Sequence, residues 1–330
     1  MKKIGKIVVI VLIFALIFVS LVACKETTNN GPDDSNANVK YTVMTPDGAP
    51  SMAIAKMMKD NATFGRKPTY SIIGSTAVAS SFTNGDADFI IAPTNAGIML
   101  ANRLKTYKMV AVTSWGNLYV VGTADQKTLS ECADTNEFLS QFSGKDVASV
   151  GTNMVPDLTF KHILSTAGIT ANVTASNAEL IQSDLTDGKI NFGILGEPAV
   201  TATLIKVKSA KRLCSVSELW KSVTNTEFTQ AGLFVKSAII ESDSEAVTAF
   251  LSELKASIEY LNARAENAKE LGDYMESTGV STLKGAIVSK CYLQMSQKYV
   301  LARDVKADVL AFVKVLGVDV PSDADVFYEK

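Results

Sequence analysis

Histidine is almost missing from this sequence, with His162 the only one in 330 residues. That removes the side chain most used for proton transfer near neutral pH and the commonest metal ligand. His162 lies in the helix-like run Leu158 to Ser165 with no recognisable nucleophile partner, so it reads as a structural or surface histidine. No catalytic residue is assigned on these grounds. No cluster shows metal-ligand spacing, and no Gly-Lys-Ser/Thr triplet follows a strand, so neither a metal, nor a cofactor, nor a Walker-type phosphate loop is expected. The acids of Asn84-Gly85-Asp86-Ala87-Asp88 read as a turn before a strand rather than as a catalytic pair. Cysteine is scarce, at four residues. Positive charge is not in excess either: the formal net charge is −2, which disfavours nucleic acid and a basic membrane-binding face.

The first residues have a character of their own. Lys2, Lys3 and Lys6 precede an unbroken apolar run from Ile7 to Val19, the pattern of an export signal. Leu21-Val22-Ala23-Cys24 then resembles a bacterial lipobox, whose cysteine becomes the lipid-carrying first residue of the mature chain. A plain transmembrane anchor is the alternative, because the run approaches the ~17–25 residues a span needs. The position of Cys24 and the polar sequence that follows at once favour cleavage and lipidation, with two acyl chains giving a stable anchor. Residues 1–23 are therefore read as a signal peptide, and loss of three lysines takes the formal charge from −2 to −5. The rest is expected on the extracytoplasmic face of the cell membrane. Cys132, Cys214 and Cys291 remain, an odd number that cannot all pair internally, and they read as buried free thiols. Residues 24–37, rich in Asn, Asp, Thr and Ser, read as a flexible tether.

From Lys40 onward short apolar strands alternate with helices of about ten residues, which indicates an α/β fold with parallel strands covered on both faces. The alternation restarts near Lys145, and from Ser242 the chain reads as mostly helix to about Leu316. Two α/β lobes with a helical C-terminal part follow from this pattern.

Five strand-to-helix junctions share small, hydroxyl-bearing or proline residues. They hold Asp47, Ala49 and Pro50; Ser75 and Thr76; Thr94 and Asn95; Thr152, Asn153 and Met154; and Glu197. Junctions after parallel strands open on the carboxyl edge of a sheet, where free N–H groups of helix starts face a crevice. The same residue types also serve as ordinary helix caps, so a ligand site rests on their clustering rather than on any one of them. In an extended segment Trp115, Asn117 and Tyr119 alternate onto one side, as lining for a flat organic ligand or as core. Glu197, between Gly196 and Pro198, suits an amine or amidine and would oppose an anion; an acid near a helix start is the bland alternative.

Taken together, the Cys24 lipobox, the opening "YTVMTPDGAPSMAIAKMM", "GSTAVASSFTNGDADFIIAPTNAGIML", "AVTSWGNLYVVGT" and "GILGEPAVT" resemble the lipid-anchored solute-binding proteins of ABC importers. The similarity is to the branch that binds nitrate, alkylsulfonates, taurine and thiamine pyrimidines, and it runs over nearly all of Lys40 to Val320. The resemblance implies a two-lobed type II periplasmic-binding-protein-like fold. Lobe one would span residues 38–122 plus 230–330, and lobe two residues 123–229. It implies a monomer that closes on a small-molecule solute and then meets ABC permease and ATPase subunits. For the ligand it leaves an aminopyrimidine-like heterocycle, favoured by Glu197 and the aromatics, beside a sulfonate- or nitrate-type anion, favoured by Ser75, Thr76 and Thr152. A lipoprotein that reports ligand to a receptor, and an enzyme of the pyrimidine-biosynthesis type, are the other readings; the single histidine and the lipobox disfavour the enzyme.

Overall fold

Strands β1 and β3 are apolar at almost every inward position because helices cover the sheet they join, and that sheet sets the first half of the molecule. A computed structural model describes residues 40–151, 153–321 and 323–329. The segments read as signal peptide and tether, Cys24 with them, and Thr152 lie outside the described residues. The chain opens with β1 (Lys40–Pro46), α1 (Ala49–Met52), α2 (Ala55–Lys59), β2 (Lys67–Ile73), α3 (Val78–Asn84), β3 (Phe89–Pro93), α4 (Thr94–Leu104) and β4 (Tyr107–Ser114). It continues with β5 (Leu118–Thr123), α5 (Thr135–Ser140), β6 (Asp146–Val150), α6 (Val155–Thr166), β7 (Asn172–Ser176), α7 (Ala178–Thr186), β8 (Phe192–Gly196), α8 (Ala199–Lys206), β9 (Ala210–Ser215) and α9 (Val216–Thr224). The last part is β10 (Ala231–Lys236), α10 (Ser237–Ser242), α11 (Ser244–Ala263), α12 (Ala265–Ser277), α13 (Gly285–Cys291), β11 (Gln297–Leu301) and α14 (Lys306–Val315).

Two sheets result, in the orders β11-β4-β10-β3-β1-β2 and β7-β6-β8-β5-β9. Strand β1 runs parallel to β2 and β3, and β6 parallel to β7 and β8. The expected α/β class and two lobes are both present. The sheets are mixed rather than purely parallel, because β10 is antiparallel to β3 and β4, and β5 to β8 and β9. The reason is topological: β5 and β10 are the strands that have just crossed from one lobe to the other, and each enters its new sheet in reverse.

This corrects the expected boundary of lobe one at Gly122. Because β5 belongs to the second sheet, the first crossing falls at Trp115–Asn117, and the return crossing at Phe228–Gln230. An apolar strand carries no mark of the sheet it joins, so "NLYVVGT" could not reveal this. The tail expected to be mostly helix also holds one strand, β11, which lies antiparallel along β4 at the sheet edge.

Lobe one packs around Phe64, Phe89 and Phe250, with the Phe89 and Phe250 rings stacked at 4.4 Å. In lobe two Phe142 meets Phe160 and Phe192 at 5.2 and 4.3 Å. Helix starts are fixed by side chains: Asn177 accepts from Leu180 N–H, and Ser215 with Glu218 forms a capping box. Among the described residues no helix is long and apolar enough to cross a membrane.

Helix α4 lies so close to β10 that a Cβ on Gly97 would fall 2.2 Å from Phe234 Cζ. Phe234 is fully buried and cannot swing away. Gly97→Ala is therefore expected to lower stability by about 1–3 kcal/mol through overpacking, read from the urea midpoint at unchanged slope.

Candidate functional site

Parallel strands of both sheets end at one crevice, and four of their junctions line it. Lobe one contributes Pro50 at the start of α1, Ser75, Val78 and Ala79 at the start of α3, and Pro93, Asn95 and Ala96 at the start of α4. Lobe two contributes Asn153, Met154, Val155 and Pro156, where β6 turns into α6, and the return crossing contributes Gln230 and Ala231. The cavity measures about 300 Å³. A wider depression of about 520 Å³, from Lys161 to Val173, is lined by lobe two alone at its edge strand and gathers no such junctions.

None of the residues lining the cleft is ionisable. Its polar groups are the Ser75 hydroxyl and the amides of Asn95, Asn153 and Gln230, set among proline, alanine, valine and Met154. The starts of α4 and α6 add N–H groups and the positive end of a helix dipole. One of these is already used, since Thr94 N–H donates to Gln230 O at 3.0 Å. The acid in the first turn of α6, Asp157, is fully buried and occupied within the protein, accepting from Asn153 N–H at 3.0 Å and pairing with Lys161 at 2.8 Å. Such a surface can hold an apolar body and satisfy a cluster of acceptor atoms. It offers no counter-ion to an ammonium.

Of the residues singled out in the sequence, the structure brings together Pro50, Ser75, Asn95, Asn153 and Met154 in this cleft. The others sit elsewhere. Ala49 is buried in the lobe-one core, Thr76 is exposed in the short turn before α3, and Thr94 is buried behind the lining. Asp47 ties its junction to the α12–α13 loop, accepting from Ser281 Oγ at 2.6 Å and from Thr282 N–H and Oγ1 at 2.8 and 2.7 Å. Burial alone would raise its carboxyl; these donors outweigh burial and hold it below its ordinary value.

The expected alternation of Trp115, Asn117 and Tyr119 is broken at Gly116, whose φ of 96° lies in the left-handed region. Trp115 Nε1 donates to Lys298 O at 2.9 Å, and Asn117 Nδ2 to Glu197 O at 3.2 Å. Tyr119 OH reaches across to Gln294 O at 3.0 Å, with the Arg212 guanidinium 4.5 Å from its ring centre. These side chains pin the crossing rather than line the cleft. Burial pushes the Tyr119 phenol up to about 12.

Glu197 is the largest departure from the sequence reading. Its carboxylate accepts from Thr201 N–H and Oγ1, both at 3.0 Å, and pairs with Arg212. The Cys291 thiol, from the other lobe, lies against the same carboxylate and Thr201. Burial raises the Glu197 carboxyl, with Thr201 and Arg212 pulling it part of the way back, and burial beside Glu197 pushes the Cys291 thiol up to about 12. The carboxylate is thus occupied by the protein. Cys132, Cys214 and Cys291 are free thiols, two of them buried. His162 stands half-buried on α6 with its ring 5.6 Å from Trp220, and burial lowers its pKa.

Gln230 and the apolar lining from Val78, Ala79 and Val155 escaped the sequence reading. Val78 and Val155 look like core in an apolar helix start. Gln230 opens the strand "AGLFVK" and becomes visible only once the crossing is located.

Three comparisons bear on this architecture. The NMT1/THI5 like family matches residues 135–268. No curated protein sequence matches the chain. Among solved structures, an ABC transporter protein from Parabacteroides distasonis is similar with a TM-score of 0.71 at 20% identity, over 89% of this chain and 100% of that one. A ligand binding component of an ABC-type import system from Staphylococcus aureus has a TM-score of 0.63 at 12% identity, over 88% and 96%. The periplasmic aliphatic sulphonate binding protein SsuA from Escherichia coli has a TM-score of 0.62 at 13% identity, over 84% and 85%. The chain has the periplasmic binding protein fold, and the branch named from its sequence motifs agrees with these neighbours.

Proposed function

We propose that this protein is the extracytoplasmic solute-binding component of an ABC importer, anchored by lipid on Cys24 and working as a monomer with permease and ATPase subunits. It captures a small organic solute between its lobes. The observation that carries this reading is a cleft lined by junctions of both lobes and by the return crossing, so that one solute touches everything that moves on closure.

The lining also bears on the ligand class. With Glu197 and Asp47 committed elsewhere, the aminopyrimidine reading loses the carboxylate that favoured it. Donors at Ser75, Asn95 and Asn153 beside two helix starts suit an acceptor-rich head group of the sulfonate type, and Val78, Met154 and the prolines suit a short apolar body. Nitrate alone would leave that apolar surface unused.

A thermal-shift screen against taurine, short alkanesulfonates, benzenesulfonate, nitrate and aminopyrimidines tests this. A ligand at a hundred times its dissociation constant should add about 2.7 kcal/mol. Asn95→Ala and Asn153→Ala should each weaken binding by roughly tenfold, the value of one hydrogen bond to a charged head group. Binding that is indifferent to both substitutions would place the solute elsewhere.

A further inference from the structure

We infer that Gln230 couples the solute to the hinge, its Nε2 donating to an acceptor atom of the solute while its Oε1 holds the other crossing segment. This rests on the cleft being the solute site. Gln230 lines the cleft from the return crossing. Its main chain is fixed at both ends, with its N–H donating to Ser114 O at 2.9 Å and its carbonyl accepting from Thr94 N–H at 3.0 Å. Its side chain reaches the first crossing, where Oε1 accepts from Asn117 N–H at 2.9 Å.

The chemistry of that contact fixes the amide. A backbone N–H can only donate, so Gln230 must turn its oxygen to Asn117 and its NH₂ the other way. Among the described residues the NH₂ has no acceptor. Thr94, held against Gln230 through its own N–H, is fully buried and its hydroxyl has no partner among the described residues. The half-buried Gln230 NH₂ thus lines the cleft with no protein acceptor among the described residues. An acceptor on the solute would satisfy the Gln230 NH₂. One planar amide then links the solute to Asn117, the residue that leads into β5 and lobe two.

Two substitutions separate the roles. Gln230→Glu keeps an acceptor for Asn117 N–H and loses the donor; Gln230→Leu loses both at similar size. Binding of ethanesulfonate, benzenesulfonate and 4-aminopyrimidine is measured by calorimetry on the full chain in detergent, with hydrogen exchange at the Asn117 amide as the hinge readout. Both variants should bind the probe that wild type accepts at least about tenfold more weakly. Asn117 should keep its protection in Gln230→Glu and exchange at least tenfold faster in Gln230→Leu. Wild-type affinity in Gln230→Glu would mean that no donor is used. A loss confined to Gln230→Glu would be charge repulsion alone, and unchanged Asn117 exchange in Gln230→Leu would remove the hinge link; each overturns the inference. If wild type binds none of the probes, the cleft reading fails first and the solute half of the inference falls with it.

Discussion

Trp220→Ala is expected to destabilise the protein by about 3–5 kcal/mol, the range for emptying a large aromatic site in a packed core. Trp220 is fully buried on α9 of lobe two. Its ring lies edge-on to Phe228 in the return crossing at 5.7 Å and to Phe312 on α14 at 5.2 Å, and those two meet at 4.9 Å. Helix α14 in turn packs on α4 of lobe one. The indole is therefore part of an apolar pad that spans the hinge, and its Nε1–H, donating to Thr226 Oγ1 at 3.0 Å, leaves no polar group stranded. Neighbours so closely interlocked cannot collapse into the space. Trp220→Phe keeps most of the contact and loses the one hydrogen bond, so its cost should be well under half that of alanine. Urea unfolding followed by circular dichroism reads both. A loss below about 1 kcal/mol for alanine would show that the pad is not a cooperative part of the core.

That pad also shows where sequence reading reached and where it stopped. The α/β class was legible because β3 and β8 are continuous apolar runs, a signal set by burial on two faces, and helix-like segments alternate with them and with the shorter apolar stretches of β1 and β6. Pro50, Ser75, Asn95, Asn153 and Met154 were legible as lining because a strand end followed by a helix start forces a junction onto the carboxyl edge of the sheet. What a junction residue does there is a different matter. Asp47 and Glu197 stand at such junctions, yet their oxygens are taken by Ser281, Thr282, Thr201 and Arg212, from distant or later parts of the chain. Nothing local to Glu197 announces an arginine fifteen residues on with its guanidinium at the carboxylate. Trp115 left the expected face for a local reason, the left-handed Gly116 between it and Asn117, whereas Tyr119 is drawn across to Gln294 O by its hydroxyl. Gln230 was invisible because its importance comes from the first crossing, which lies more than a hundred residues earlier.

Arg212→Leu should cost about 3 kcal/mol near neutral pH, whereas Glu197→Gln should cost under about 1 kcal/mol. The asymmetry follows from exposure. The Glu197 side chain is 0% exposed and that of Arg212 is 27% exposed, so an arginine left alone can turn to water and a carboxylate left alone cannot. The Thr201 donors remain in the arginine variant, and the Cys291 thiol and Tyr119 phenol, both pushed upward, stay neutral and supply no charge. The sign of the pH dependence is fixed by the direction of the carboxyl's shift. Burial raises the Glu197 carboxyl in the folded protein, so the folded state holds a proton at pH values where the unfolded state has released it. Stability from this group is therefore greatest below the ordinary carboxyl value, declines as pH rises through the raised folded value, and is level above it. Removing the Arg212 charge pushes the carboxyl higher still and steepens that decline. The deficit of Arg212→Leu should shrink as pH falls from about 8 to about 4, Glu197→Gln should lack the slope, and the double variant should recover most of the loss. Urea midpoints at a series of pH values measure all three. A deficit in Arg212→Leu that is the same at every pH would mean that the stranded carboxylate finds water, and that lobe two and α13 part at this contact instead of holding together around it.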